Sequence, residues 1–231
     1  MQVLVACEES QRVCMAFREK GHEAYSCDII DCSGGHPEWH IKQDVIPLLN
    51  GHCEFITCDG KTHEIENSWD LIIAHPPCTY LTNAAAHIFS LKASSPEKVV
   101  KHWENRAKAS VFFMHFVLAD CDRIVVENPV GFMSTAYKKP DQIINPYEFA
   151  SSIDDKENYV TKRTCLWLKG LPKLKANNLP KPTMEKYFST YTGGYRSKDW
   201  CTYGSYSYKD RQKERSKTFP GIAKAMAEQW G

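Results

Sequence analysis

Several absences narrow what this chain can be. No apolar run approaches the roughly 20 residues that a membrane helix needs, so a spanning protein is not expected. The first residues turn acidic at Glu8 and Glu9 with no basic lead before them, so a secretory leader is not expected either. There are ten cysteines, at positions 7, 14, 27, 32, 53, 58, 78, 121, 165 and 201, but no CxxC pair. Without such a pair or a leader, a disulfide framework is not expected, and free thiols in a reducing cytoplasm are. Cys27, Cys32, Cys53 and Cys58, interleaved with His36, His40 and His52, are spaced more widely than usual zinc ligands, so no metal is expected. GxGxxG is missing, which argues against a tight pyrophosphate cradle and hence against a dinucleotide cofactor. Internal repeats and low-complexity tracts are absent as well.

What is present is an ordinary globular composition with an uneven charge. The 231 residues are 42% hydrophobic and 25% charged, enough for one full-sized domain with a normal core. Residues 1–159 carry 14 Lys and Arg against 23 Asp and Glu, whereas residues 160–224 carry 15 against 4. The basic block also holds Tyr187, Tyr191, Tyr195, Tyr203, Tyr206 and Tyr208. Interleaved cations and aromatics suit contact with a polyanion, with phosphates held by charge and bases by stacking. A solvated lysine surface over a tyrosine-rich loop is the other reading of the same block.

Short apolar runs punctuated by turns give the architecture. Val3 to Ala6 reads as a buried strand, and Val13, Ala16 and Phe17 recur at helical spacing before Gly21. Glu23 to Ile30 reads as a second strand around Asp28, completing a βαβ start. Asp59-Gly60 lies between two β-prone runs, 54–58 and 62–66, and predicts a hairpin. Trp69 to Ala74 is a further buried strand that breaks at His75-Pro76-Pro77-Cys78. A long helix is expected from Pro96 to Ala119, then strands at Arg123 to Val126 and Thr164 to Leu168, and a closing helix from Gly221 to Trp230. The expected fold class is α/β and Rossmann-like: a mostly parallel sheet with helices on both faces. Residues 1–169 form the core, 170–215 a loop-rich basic excursion, and 216–231 a helix returning to the core.

In open α/β sheets, ligands bind beyond the carboxyl ends of the strands. Four polar features fall at such ends: Cys7 to Ser10, Asp28, His75 to Cys78, and Glu127-Asn128. Asp28 is where a carboxylate can accept ribose hydroxyls, and Asp44 can accept from an adenine amino group or serve as a turn residue. Pro76-Pro77-Cys78 stiffens a turn and holds a thiol outside the sheet, as a nucleophile requires, although a lone cysteine is also a common buried apolar residue. Glu127 at a buried strand end is costly unless paired or used. With a raised pKa it can donate to a ring nitrogen; a salt bridge with Arg163 or a lysine is the alternative.

These residues resemble the DNA (cytosine-5)-methyltransferases, and most closely the compact proteins of that kind carried by bacteriophages and prophages. Pro77-Cys78 is similar to the family's catalytic Pro-Cys at the end of the fourth strand, and Glu127-Asn128 to its Glu-Asn at the end of the fifth. Lys162-Arg163-Thr164-Cys165 resembles its Arg-x-Arg strand, with Arg163 kept and Cys165 in place of the second arginine. The Phe-x-Gly-x-Gly turn is replaced by Ala6-Cys7-Glu8-Glu9-Ser10, and the recognition region is far shorter than usual. The resemblance implies S-adenosyl-L-methionine as cofactor, held by Cys7, Glu8, Ser10, Asp28, Ile29, Asp44 and Pro76. It implies catalysis by Cys78, Glu127, Asn128 and Arg163 on a cytosine flipped out of double-stranded DNA. Lys162, Arg196, Lys198, Lys209, Arg211 and Arg215 are the expected nucleic-acid contacts, and a second subunit is compatible with the short recognition region. Methylation of RNA, of a free nucleotide or of an amino group in DNA, and a non-catalytic nucleic-acid-binding protein, remain alternatives.

Overall fold

The structure, a computed structural model, describes residues 1–183, 186–189, 194–197 and 215–231. Its centre is a seven-stranded sheet of β1 (Gln2–Ala6), β2 (Glu23–Asp28), β3 (His40–Lys42), β6 (Leu71–Ala74), β7 (Ile124–Pro129), β8 (Gln142–Ile144) and β9 (Thr164–Lys169). Their order across the sheet is β3-β2-β1-β6-β7-β9-β8. All neighbours pair in parallel except β9, which runs antiparallel to both β7 and β8. The strands β4 (Cys53–Ile56) and β5 (Thr62–Ile65) form a separate hairpin, at the place where Asp59-Gly60 predicts one. A second hairpin joins β10 (Lys186–Ser189) to β11 (Gly194–Ser197), inside the stretch read from sequence as loop.

The sheet strands are short and apolar because both of their faces are covered. Along β1, Leu4 and Ala6 enter one core, and Val3 and Val5 the other. β6 repeats the alternation with Ile72 and Ala74 against Leu71 and Ile73. Helix α2 (Pro96–Val117) covers the first face through Phe113 and Phe116. Helices α1 (Arg12–Glu19) and α4 (Pro220–Trp230) cover the second, through Val13, Phe17, Ile222, Met226 and Trp230. A one-turn helix, α3 (Met133–Ala136), follows β7. Among the described residues no helix is long and apolar enough to cross a membrane.

The chain reverses its direction of travel across the sheet between β1 and β6. From β1 it builds outward to β2 and β3, then returns to place β6 and β7 on the other side of β1. That reversal makes the carboxyl ends of β1 and β6 the topological switch point, the general position for ligands in such sheets.

The closing helix is held by its last side chain. Trp230 is fully buried, and its indole Nε1 donates to Pro172 O at 2.9 Å. Trp230→Ala is expected to lower unfolding free energy by about 3–5 kcal/mol. Urea denaturation followed by far-ultraviolet circular dichroism checks this; a loss below about 1 kcal/mol would show that the helix is not an integral part of the core.

Candidate functional site

Register places the site. Ala6 pairs with Cys27 on one side and with Ala74 on the other, and Ala74 pairs with Val126. One residue further along each strand, Asp28, Cys7, His75 and Glu127 therefore fall in a single row across the carboxyl edge. The row continues the ladder: Glu8 N donates to Cys27 O at 3.2 Å, and His75 N donates to Ala6 O at 2.9 Å. His75 extends the side-chain row of Ile73, and Glu127 that of Val125, so both point to the same face on strands about 4.8 Å apart. Their side chains meet, with His75 Nδ1 3.2 Å from Glu127 Oε2. This pairing replaces the partnership with Arg163 or a lysine considered from the sequence.

Asn128 points the other way and is buried. Its Nδ2 donates to Pro76 O at 2.7 Å and to Glu127 O at 3.1 Å. The loop after Cys78 is then zipped to the loop after β7. Cys78 O accepts from Leu81 N and Thr82 N, Asn83 N donates to Val130 O, and Phe132 N donates to Leu81 O. Gly131 is required in this zipper, because a Cβ there would collide with Leu81 O. Cys78 is thus fixed from both sides and remains partly exposed.

The charges around Cys78 are mixed. Burial, followed by the Glu127 charge, pushes its thiol above its usual value, and the Lys162 and Arg215 charges oppose this only in part. Burial also pushes the Glu127 carboxyl up, but the His75 hydrogen bond and charge, joined by Lys162, outweigh it and hold Glu127 below its usual value. The raised Glu127 pKa expected from the sequence is therefore not found in the free protein. Arg163 is exposed just before β9, and its charge acts on the buried Cys165 thiol. Lys162, whose Nζ donates to Arg215 O at 2.8 Å, is the cation whose charge reaches both Cys78 and Glu127.

On the β1–β2 side of this edge the first turn does without glycine. Cys7 and Gln11 take left-handed backbone conformations, with φ of 59° and 58°. The Glu8 carboxylate, fully buried, caps α1: Oε1 accepts from Val13 N at 2.7 Å and Oε2 from Cys14 N at 3.1 Å. Ser10 and Pro76 are buried. Asp28 is half-buried and accepts from Ile30 N at 3.3 Å, while Ile29 beside it is 73% exposed. Burial raises the Asp28 carboxyl, and Glu9 adds to that. Asp44, exposed just beyond β3, accepts from Ile46 N at 3.0 Å and starts the next turn, so its turn role is met. The same edge carries buried polar atoms without hydrogen bonds among the described residues: both oxygens of Glu9 and Nε2 of His75.

Of the expected nucleic-acid contacts, Lys162 and Arg215 join the Cys78 neighbourhood. Arg196 lies on β11 opposite Tyr187. Lys198, Lys209 and Arg211 lie outside the described residues. Among the described residues no three His, Cys, Asp or Glu side chains gather as a metal site. A cavity of about 190 Å³ lined by Val117, Tyr137, Lys138 and Trp167 shares no residue with this edge. Sequence reasoning missed the His75–Glu127 pair; the signal for it was register, since His75 and Glu127 each stand one position past an apolar strand. Neither a scan of the chain against family models nor a search of curated proteins finds a match.

The geometry makes Cys78 reactivity pH-dependent in a defined sense. The thiolate is the reactive form, so a raised pKa shifts reactivity upward in pH. Iodoacetamide alkylation of Cys78, followed by peptide mass spectrometry, should keep rising beyond the ordinary thiol range of about 8.5–9. At fixed pH, Glu127→Gln should speed it and Lys162→Gln should slow it. Equal rates in the three proteins would contradict these charge assignments.

Proposed function

We propose that this chain is an S-adenosylmethionine-dependent methyltransferase acting on carbon 5 of cytosine in DNA. The observation that carries the proposal is the joining of Pro76-Pro77-Cys78 to Glu127-Asn128 at one sheet edge. Leaving the separate hairpin aside, β6 is the fourth strand of the sheet in chain order and β7 the fifth. That matches the positions of Pro-Cys and Glu-Asn in the family that the sequence resembles. Asp28, with exposed Ile29 beside it, stands at the end of the second strand, where a ribose and an adjoining base would lie. The cap of α1 supports this cofactor over a phosphate-bearing one, since Glu8 already fills the helix N-terminus where a phosphate would bind.

When bound, S-adenosylmethionine supplies an electrophilic methyl group. The Cys78 thiolate adds to carbon 6 of the flipped cytosine, forming a carbon–sulfur bond and making carbon 5 nucleophilic. Glu127 takes up a proton from solvent as it engages the base, donates it in a hydrogen bond to the ring nitrogen and accepts from the amino group, stabilising the negative charge that develops on the ring. Its other contact, to His75, holds the carboxyl in position from behind. Once carbon 5 has taken the methyl group, its proton would pass to water and the carbon–sulfur bond would break, with the Cys78 thiolate leaving and the ring restored. One coupling follows from the charges. The Glu127 charge raises the Cys78 thiol, so neutralising Glu127 as it engages the base favours the thiolate at the moment it is needed. Asn128 acts on the loop backbone through Pro76 O rather than on the base. Lys162, with Arg163 exposed next to it, is positioned for a phosphate flanking the flipped nucleotide.

Intact-mass spectrometry after incubation with S-adenosylmethionine and a duplex containing 5-fluorocytosine tests the proposal. The fluorine blocks the final elimination, so a covalent adduct should accumulate in the wild type and be absent in Cys78→Ala. No adduct, with cofactor binding intact, would overturn carbon-5 methylation of DNA in favour of another substrate or amino-group chemistry. Failure to bind the cofactor would overturn the methyltransferase reading itself.

A further inference from the structure

Glu9 is the residue of this edge that the proposed chemistry leaves without a task. It is only 9% exposed, and neither carboxylate oxygen has a hydrogen-bond partner among the described residues. A buried carboxylate in that condition is costly, and polar groups left so are rare unless a ligand completes them. Glu9 lies in the β1–α1 turn, where the loop after β2 crosses it: Ser33 N donates to Glu9 O at 2.8 Å. Its charge acts on the two neighbouring carboxylates, Glu8 and Asp28. Glu8 is consumed by the backbone of α1. Asp28 makes a local bond to Ile30 N. Among the described residues of this edge, Glu9 alone has both oxygens without a hydrogen-bond partner.

The surroundings fix the sign of that donor's charge. At the start of α1 the N–H groups of Val13 and Cys14 are already paired with Glu8. A cationic donor at Glu9 is attracted by all three carboxylates, Glu8, Glu9 and Asp28. Position narrows it further. β1 and β2 are adjacent parallel strands about 4.8 Å apart, so a ligand with its ribose at Asp28 carries its next substituent across the end of β1.

We propose that Glu9 is the acceptor for the α-ammonium group on the amino-acid arm of the cofactor. This rests on the methyltransferase reading and adds to it a specific residue and a specific ligand group. A charge-assisted hydrogen bond to a carboxylate is strong and directional.

Calorimetric titration of the full chain with two compounds separates the possibilities. S-adenosylhomocysteine carries the arm on a neutral sulfur; 5′-methylthioadenosine keeps the adenosine and the neutral sulfur and lacks the arm. Glu9→Gln should weaken S-adenosylhomocysteine by about tenfold or more and change 5′-methylthioadenosine by less than about twofold. Asp28→Asn should weaken both. Because the unpaired buried charge is costly, ligand-free Glu9→Gln should also melt at a higher temperature than the wild type, which shows that the variant is folded. Equal weakening of both compounds by Glu9→Gln, or no effect on either, would overturn the assignment while leaving the cofactor reading standing. A wild-type chain that binds neither compound would instead overturn the cofactor reading.

Discussion

The site depends on one buried amide. Asn128 Nδ2 donates to Pro76 O, and through that bond the end of β7 holds the start of the Cys78 loop. Two prolines leave the segment few backbone donors of its own, so its position has to be set by an outside group. Asn128 supplies it from the neighbouring strand, while Glu127, one residue earlier, faces the opposite side and meets His75. Alternation along a single strand thus gives one residue that fixes the loop and one that pairs with His75. The zipper of Leu81, Thr82 and Asn83 against Val130, Gly131 and Phe132 completes the clamp.

Charge at the sheet edge is arranged in two halves. On the β1–β2 side, Glu8, Glu9 and Asp28 gather with no lysine or arginine ion pair among them in the described residues. That side suits a ligand bearing positive charge. On the β6–β7 side, Glu127 is balanced by His75 and Lys162, and Cys78 feels Lys162 and Arg215 as well. That side suits a neutral ring next to a phosphate. A methyl donor and an acceptor base with those charges would meet above the row Asp28, Cys7, His75 and Glu127.

Much of this frame was legible from the sequence, for a physical reason. Parallel strands covered on both faces must be apolar throughout, so Val3 to Ala6 and Leu71 to Ala74 stand out, and so do the polar residues that end them. β3 and β8, of three residues each, are too short to carry a period and were not legible. Neither was the His75–Glu127 contact, because it joins residues 52 apart through a register that only the assembled sheet defines. Lys162 and Arg163 are adjacent and alike in type, and sequence cannot decide which one turns inward. Glu8 and Glu9 pose the same problem: one caps a helix and the other stays unpaired, and the difference lies in the left-handed turn at Cys7 and Gln11.

The central claim is that the carboxyl edge between β1 and β6 is one site that takes S-adenosylmethionine on its acidic side. Amide hydrogen exchange with and without saturating S-adenosylmethionine tests it most directly. The account predicts slowed exchange in three separate segments, 7–11, 28–33 and 75–81, with little change around the cavity at Tyr137 and Trp167. Unchanged exchange in all three segments at a concentration that saturates binding, or protection confined to that distant cavity, would contradict it.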